Sequence, residues 1–471
     1  NYRFIPTTGD WIGEWSSDWA DSRNWFGAIP SASTAVTIAS GTTFSPKVST
    51  NVGTIASLTI DSGATVEVTP EGTVESSTTT INGTLTITGG TFNHYTNLSD
   101  SFQVYGTVSA SAGTLNVGEP STDYYADVTI YSGGLAQFSG ASIVICDELE
   151  VRNGGNLNQT GGAVTLSAYT GTHPGSADAK LDIESGATFT GTGGSIKVAG
   201  SYNFTTDYPA VRFDANATVL ASGTNLSLAN GQSTNESFYL DLQNKPIGTL
   251  SVHKSGLFAT LVSNIDCASL SLSEGTLDAN GQEIAVSGDW TNDSTFLPNG
   301  GNVLFQGTST LAGSNPLTLY STTISGTLQV GSTPLSVTHA ASLPLGGLLQ
   351  CTIGSSITIT PELSVLGTLD IDEGELTLES NLQIGGTIDL SGGIASLTTT
   401  GSDCTILAGG TLSVSGGTLN LPDVLDIWGN FTLSGNGVVQ NTVNTASFGD
   451  ILFQNGSSGK MTGGSLHIFH Q

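Results

Sequence analysis

The sequence predicts an all-β fold, a single-stranded right-handed parallel β-solenoid (β-helix) of roughly 20 coils. Three observations lead to this prediction. Glycines recur in pairs seven residues apart, apolar and polar residues alternate between the paired glycines, and the pairs themselves recur at an interval of about 22 residues. The composition agrees, since 62 of the 471 residues are glycine and only 10% are charged.

The paired glycines mark the predicted corners of the coils. A glycine adopts the positive φ that a sharp corner requires at little cost. A spacing of seven residues fits one short strand and one corner. The pairs are Gly83 and Gly90, Gly106 and Gly113, Gly155 and Gly162, Gly367 and Gly374, Gly386 and Gly393, and Gly410 and Gly417.

The residues between the glycines have the period of a β-strand. In GTLTITG, Leu85 and Ile87 share one face, and the threonines share the other. Coiling such strands stacks the apolar residues in an interior column and leaves ladders of Thr, Ser and Asn outside. An antiparallel sandwich also has short alternating strands, but it needs no longer repeat that contains two or three of them. Runs of helix formers are too few for βαβ crossovers.

Four segments are predicted along the chain. Residues 1–34 form a Trp-rich amino-terminal cap, and residues 35–201 form the first half of the solenoid. Residues 202–244 break the glycine rhythm and are interpreted as an irregular joint or loop excursion. Residues 245–471 form the second half and contain two related modules, because VLFQ at 303–306 resembles ILFQ at 451–454.

The charge balance excludes two classes of partner. The chain has 39 Asp and Glu against 10 Lys and Arg, a formal net charge of −29. Nucleic acids and anionic membrane surfaces are bound by clustered Lys and Arg, which this chain lacks. No apolar run reaches the length of about 20 residues that spans a bilayer, so membrane insertion is not expected. No cofactor is predicted, although such an acidic surface could recruit calcium.

The four cysteines do not form a metal or redox motif. Cys146, Cys267, Cys351 and Cys404 lie too far apart in the sequence for any CxxC-type arrangement. Two interpretations remain, buried small apolar side chains or one or two disulfides between nearby coils. The sequence starts at Asn1 and not at Met, and it is interpreted as a mature product that has lost a signal peptide or as a cloned fragment.

Three groups of residues are candidates for function. The aromatic rings of the cap either plug the end of the solenoid or contact glycans. Two of the acidic side chains of LDIDEGEL share an outward face where calcium could bridge them, although such a run is usually a solvated surface. The last strand could pair with another subunit. These groups are Trp11, Trp15, Trp19 and Trp25, then Asp370 and Asp372, and finally Leu466, Ile468 and Phe469.

Two stretches carry a resemblance to known proteins. SSDWADSRNWFGAIPSASTAVTIASG, followed by ASLTIDSGATVEV, resembles the opening of bacterial surface and autotransporter-type β-helix repeat proteins. EGTLDANGQEIAVSGDWTNDSTFLPNGGNVLFQG is similar to repeats in large secreted proteins of Bacteroidetes. The resemblance implies an extracellular or cell-surface adhesin, stalk or fibre, with partners that are other surface proteins, glycans or further copies associating head to tail.

Catalysis is not expected. β-Solenoids also carry pectate lyases and polygalacturonases, so a polysaccharide lyase or hydrolase is the alternative to be weighed. Those enzymes need a basic residue beside clustered acidic ligands, or paired carboxylates with GHG and RxK elements, and none of these strings occurs. The predicted function is therefore that of a rod-like structural protein, with a carbohydrate-binding adhesin as a further alternative and no catalytic residue assigned.

Overall fold

The computed structural model describes residues 8–96, 101–119, 126–167, 179–199, 205–229, 236–398, 403–421, 424–441 and 450–467. These residues form a parallel β-solenoid of about 17 turns, which confirms the predicted fold class. The one helical element among them is a short 3-10 turn, Ser22–Asn24. The chain divides into two compact units, residues 1–263 and 264–471.

The strands of the first unit are β1 (Ala35–Ile38), β2 (Lys47–Val48), β3 (Asn51–Ile55), β4 (Ser57–Ile60), β5 (Thr65–Val68), β6 (Thr73–Ser76), β7 (Thr79–Ile81), β8 (Thr84–His94), β9 (Phe102–Val104), β10 (Thr107–Val117), β11 (Val128–Ile130), β12 (Leu135–Phe138), β13 (Ser142–Ile145), β14 (Glu148–Val151), β15 (Asn156–Ser167), β16 (Lys180–Ile183), β17 (Thr188–Ala199), β18 (Val211–Phe213), β19 (Thr218–Leu220), β20 (Asn225–Ala229), β21 (Glu236–Asp241) and β22 (Pro246–Leu261).

The strands of the second unit are β23 (Ile265–Asp278), β24 (Ile284–Val286), β25 (Trp290–Asn292), β26 (Thr295–Leu297), β27 (Asn302–Phe305), β28 (Thr308–Ala312), β29 (Leu317–Ile324), β30 (Thr327–Val330), β31 (Leu335–Leu343), β32 (Leu348–Cys351), β33 (Ser356–Ile359), β34 (Leu363–Val365), β35 (Thr368–Ile371), β36 (Glu375–Leu378), β37 (Leu382–Ile384), β38 (Thr387–Leu390), β39 (Ile394–Leu397), β40 (Cys404–Ile406), β41 (Thr411–Val414), β42 (Thr418–Leu421), β43 (Leu425–Ile427), β44 (Asn430–Leu433), β45 (Val438–Asn441), β46 (Ile451–Phe453), β47 (Ser458–Met461) and β48 (Ser465–His467).

Each coil contributes strands to three parallel ladders. In the first unit, one ladder runs through β1, β4, β7, β9, β11, β14, β16, β18 and β21. In the second unit, one runs through β25, β28, β30, β32, β35, β38, β41, β44 and β47. Strands β18 to β21 lie within residues 202–244 and pair in parallel with strands of neighbouring coils.

The coils vary in length, and this explains why there are fewer than the predicted 20. Ala35 aligns with Ser57, an offset that matches the expected repeat. Glu148 aligns with Lys180, however, so the coil between these two residues is nearly half as long again. A coil can absorb extra residues at a corner without disturbing its strands, because only the strand residues enter the ladders.

The strand alternation places apolar side chains inside, as the sequence predicts. One interior column contains Val66, Leu85, Val108, Ala136 and Leu157, which align on successive coils. Each of these five side chains is at most 1% exposed. Burying a Val or Leu side chain of this kind stabilises the fold by about 1.5–3 kcal/mol.

The paired glycines serve two different purposes. The second glycine has a positive φ in four of the six pairs, as at Gly113 with φ 79°. The first glycine of each pair lacks a positive φ and lies instead against the neighbouring coil. A Cβ at Gly386 would lie 2.1 Å from the carbonyl oxygen of Gly367. The sequence pattern predicts a positive φ at these first glycines. The structure shows instead that a side chain at these positions would meet the backbone of the neighbouring coil.

Polar and sulfur-containing side chains also occur inside the solenoid. His94 is fully buried, and its ring nitrogens lie 3.0 Å from Thr79 Oγ1 and 2.9 Å from Ser101 Oγ. Burial lowers the pKa of His94 to about 3, so the ring is neutral at physiological pH. All four cysteines are buried and free. They are therefore buried small apolar side chains, the first of the two interpretations of these residues, and do not form disulfides with one another.

Candidate functional site

Three of the four cap tryptophans form one buried cluster. Trp11, Trp19 and Trp25 are 1%, 1% and 3% exposed, and the ring of Trp25 lies 5.0 Å from that of Trp11 and 4.7 Å from that of Trp19. The indole nitrogen of Trp25 donates to the carbonyl of Trp19 at 2.7 Å. The cap segment adds to the first coil through parallel bridges, one of them between Asp10 and Thr37. These rings therefore pack with the interior.

Trp15 differs from the other three because its side chain points outward and is 60% exposed. The guanidinium of Arg23 lies 5.0 Å from its ring centre, and Asp21 holds Arg23 through a 2.7 Å contact. The Oδ1 atom of buried Asn24 accepts hydrogen bonds from the backbone N–H groups of Trp15 and Ser16. This loop geometry presents an indole ring to solvent, with a cation beside it.

The predicted acidic pair is divided by the end of a strand. Asp370 lies on the outward side of β35, where it aligns with Asp389 of the next coil and accepts from Gln350 Nε2 at 3.1 Å. Asp372 follows β35 and accepts from Ser391 Oγ at 2.8 Å. Burial, and then the negative charge of Asp372, raises the pKa of Asp370. Among the described residues, no three or more His, Cys, Asp or Glu side chains are grouped to hold a metal ion.

The last described coil carries the predicted assembly strand. Leu466 aligns with buried Val439 and therefore continues an interior column, but it is 37% exposed. Phe453 and Met461 continue two other interior columns and are 55% and 56% exposed. Together with Ile451 they line a pocket of about 290 Å³. Ile468 and Phe469 lie outside the described residues.

A network of charged side chains lies on the outward face of β14, β16 and β18. Lys180 Nζ contacts Glu148 Oε1 at 2.8 Å and Asp182 Oδ2 at 2.7 Å. The guanidinium of Arg212 donates two hydrogen bonds to Asp182, with Nε 2.7 Å from Oδ1 and Nη2 2.6 Å from Oδ2. This network, defined by these four residues, was not predicted from the sequence.

The network is sheltered although it faces outward. The side chains of Lys180 and Asp182 are 6% and 2% exposed, and the ring of Tyr208 lies 4.3 Å from Lys180 Nζ. Burial raises the pKa of Glu148 to about 7. Burial alone would lower the pKa of Lys180, but its contacts with Glu148 and Asp182 outweigh burial, so the net pKa is raised.

The sequence carries only a weak signal for this network. Its members come from three strands, and residues 148 and 180 are aligned only because the coil between them is unusually long. The motifs ELEV, KLDI and VRF do place charged residues at outward strand positions. The chain has only 10 basic residues, so three strands of this kind in its first half could have indicated a charged network.

A second outward row lies beside the network. The rings of Tyr105 and Tyr131 stack with centres 4.4 Å apart and planes at 12°. The guanidinium of Arg152 lies 4.8 Å from the Tyr131 ring and contacts Glu150 Oε2 at 2.8 Å. Ring stacking and the contact of Arg152 with Tyr131 join neighbouring coils in this row, in which Tyr105 is 39% exposed.

No protein-family model matches the chain, and no curated protein matches it. Within the described residues, no helix is long and apolar enough to cross a membrane.

Proposed function

We propose that this chain is an extracellular structural protein of a bacterial surface or matrix, acting as a stalk, an adhesin or the subunit of a self-assembling filament. One observation carries the proposal, namely that outward polar side chains hydrogen-bond from coil to coil. Gln329 donates to Gln350 at 2.8 Å, and Gln350 donates to Asp370 at 3.1 Å. Asn116 likewise donates to Asn93 at 2.9 Å.

Such ladders support a structural role because they use the outer surface to join neighbouring coils. Each bond of this kind contributes about 0.5–1.5 kcal/mol, and a repeat protein sums these contributions between neighbours. The exposed apolar side chains of the last described coil favour association with another β-strand. The acidic surface keeps an exposed protein soluble.

The location can be tested on the bacterium that makes the protein. Antibodies against the purified chain are expected to label intact cells or the surrounding matrix. External protease is expected to remove this label while a cytoplasmic marker in the same cells survives. Labelling that appears only after lysis would overturn the proposal.

A second candidate function, carbohydrate binding, is favoured by the exposed ring of Trp15. Aromatic faces stack on sugar rings, and Arg23 adds a donor and a positive charge beside this one. Trp11, Trp19 and Trp25 are not available for such contact because they are buried. The proposed glycan contact is therefore assigned to Trp15 alone among the four cap tryptophans.

Replacing Trp15 by alanine should abolish binding to a printed array of neutral and acidic glycans while leaving the cap folded. The expected change in unfolding free energy is within about 0.5 kcal/mol, because the side chain is largely exposed. Phe26→Ala is the matched control, since Phe26 is a 44% exposed aromatic residue of the same cap. Equal binding by the wild type and Trp15→Ala, or no binding by the wild type, would refute this candidate.

A further inference from the structure

The most unusual chemical feature of the described residues is a buried lysine held between two carboxyl groups. We propose that Lys180 and Glu148 are joined by an intramolecular amide bond between Nζ and Cδ, a covalent crosslink between two neighbouring coils. The inference goes beyond the proposed function and does not depend on it.

The reacting atoms are already close. Lys180 Nζ lies 2.8 Å from Glu148 Oε1. The carboxyl carbon is one bond of about 1.2 Å further, so Nζ and Cδ are at most about 4 Å apart. The two residues align directly in the ladder between β14 and β16, and the backbone N–H of Lys180 donates to Asp147 at 3.2 Å. Strand pairing therefore keeps the amine beside the carboxyl group, which raises their effective concentration.

The neighbours of this pair supply the remaining chemistry. Asp182 Oδ2 lies 2.7 Å from Lys180 Nζ and is the group that accepts the proton of the ammonium group. Because the same contact raises the pKa of Lys180, the neutral amine that reacts is a minor form of this side chain. Arg212 binds both carboxylate oxygens of Asp182, which fixes the orientation of this group beside Lys180. Burial raises the pKa of Glu148 to about 7, so a large fraction of this carboxyl group carries a proton at neutral pH.

The reaction is a condensation and needs no other reactant. Glu148 takes up one proton from solvent, and Asp182 accepts one from the Lys180 ammonium and returns it to solvent. The Nζ lone pair forms a bond to Cδ, and the bond from Cδ to the protonated oxygen breaks. The hydroxyl group leaves with a second proton from Nζ as water. Overall, one ammonium and one carboxylate become one amide and one water, without oxidation or reduction.

The same chain contains an internal control for simple proximity. Lys47 Nζ also lies 2.8 Å from a glutamate oxygen, that of Glu67, and these residues align on β2 and β5. Their side chains are 52% and 28% exposed, against 6% and 19% for Lys180 and Glu148. Solvation stabilises the ammonium and carboxylate forms of an exposed pair, so Lys47 and Glu67 should remain unlinked.

Mass spectrometry of the full chain tests the proposal. The intact, denatured wild-type protein should be lighter than its sequence mass by about 18 Da, the mass of one water. Proteolysis and fragmentation should locate the link between Glu148 and Lys180. The peptides that carry Lys47 and Glu67 should be recovered unlinked.

Three variants separate the crosslink from its surroundings. Lys180→Arg keeps the positive charge but has no nucleophilic amine, so its mass should equal the sequence mass. Lys197→Arg, at an outward position of β17, should keep the loss of about 18 Da. Asp182→Asn should reduce the linked fraction at least about tenfold if Asp182 accepts the proton.

The wild-type result alone decides the matter, whether or not a variant folds. An unshifted intact mass would overturn the proposal. So would a loss of about 18 Da that maps to a cyclised Asn or Asp elsewhere, or to a link between Lys180 and Asp182.

Discussion

Replacing Trp290 by alanine is expected to lower the local free energy of unfolding by about 3–5 kcal/mol. Trp290 is fully buried in an interior column between Leu270 and Leu311. Its ring lies 5.1 Å from that of Phe296 and 6.2 Å from that of Phe305. Removing the indole ring leaves a cavity that fixed strands on both sides cannot close.

Hydrogen exchange of the amides in β23, β25 and β28 would measure this loss, because local stability in a repeat protein depends on neighbouring coils. Trp428→Ala is the matched control in the same unit. Trp428 is 46% exposed, and its indole nitrogen donates to Asp426 at 2.9 Å, so the control should cost about 1 kcal/mol or less. Equal protection in the two variants would contradict the expected role of Trp290.

Trp290→Phe should cost less than the alanine variant for an additional reason. Within the described residues, the buried indole nitrogen of Trp290 has no hydrogen-bond partner. Phenylalanine keeps much of the ring volume and removes this unsatisfied donor.

The second large effect is expected for Gly386→Ala, at about 3 kcal/mol of destabilisation. A Cβ at this position would lie 2.1 Å from the carbonyl oxygen of Gly367 and 2.4 Å from that of Leu366. Both obstacles are backbone atoms of the adjacent coil, so no side-chain rotation relieves the contact. The coils would have to separate locally, which weakens the hydrogen bonds of the ladder.

Gly331→Ala is the control for this substitution. Gly331 has no positive φ, and its nearest contact for a Cβ is an ordinary 3.7 Å. Alanine there should be neutral or stabilising by up to about 1 kcal/mol, because it restricts the unfolded chain. Denaturant unfolding followed by circular dichroism compares the two variants, and an equal effect of both would show that steric contact at Gly386 is not decisive.

Much of the fold was predictable because its signals are local. The alternation around Leu85 and Ile87 is a property of one strand, and the interval between glycine pairs is a property of one coil. Both signals can be read from the sequence without knowledge of long-range contacts. The coil number was less predictable, since coils of different length, such as the one between Glu148 and Lys180, have the same strand pattern.

The candidate sites were less accessible to sequence reasoning. Trp11, Trp15, Trp19 and Trp25 look equivalent in the sequence, yet only Trp15 is exposed. Trp15 lies in an irregular loop whose backbone N–H groups donate to the side chain of Asn24, and such loops have no period from which the direction of a side chain could be predicted.

The sequence by itself determined the parallel β-solenoid, its apolar interior and its polar outer ladders. Strand periodicity and coil repetition are patterns of residues that lie close together in the sequence. Only the tertiary structure decided which distant charges meet. Lys180 lies between Glu148 and Asp182, with Arg212 behind them, because strand register brings residues from successive coils into direct contact. Register depends on the length of each corner, and the corners carry no repeat from which that length could be calculated.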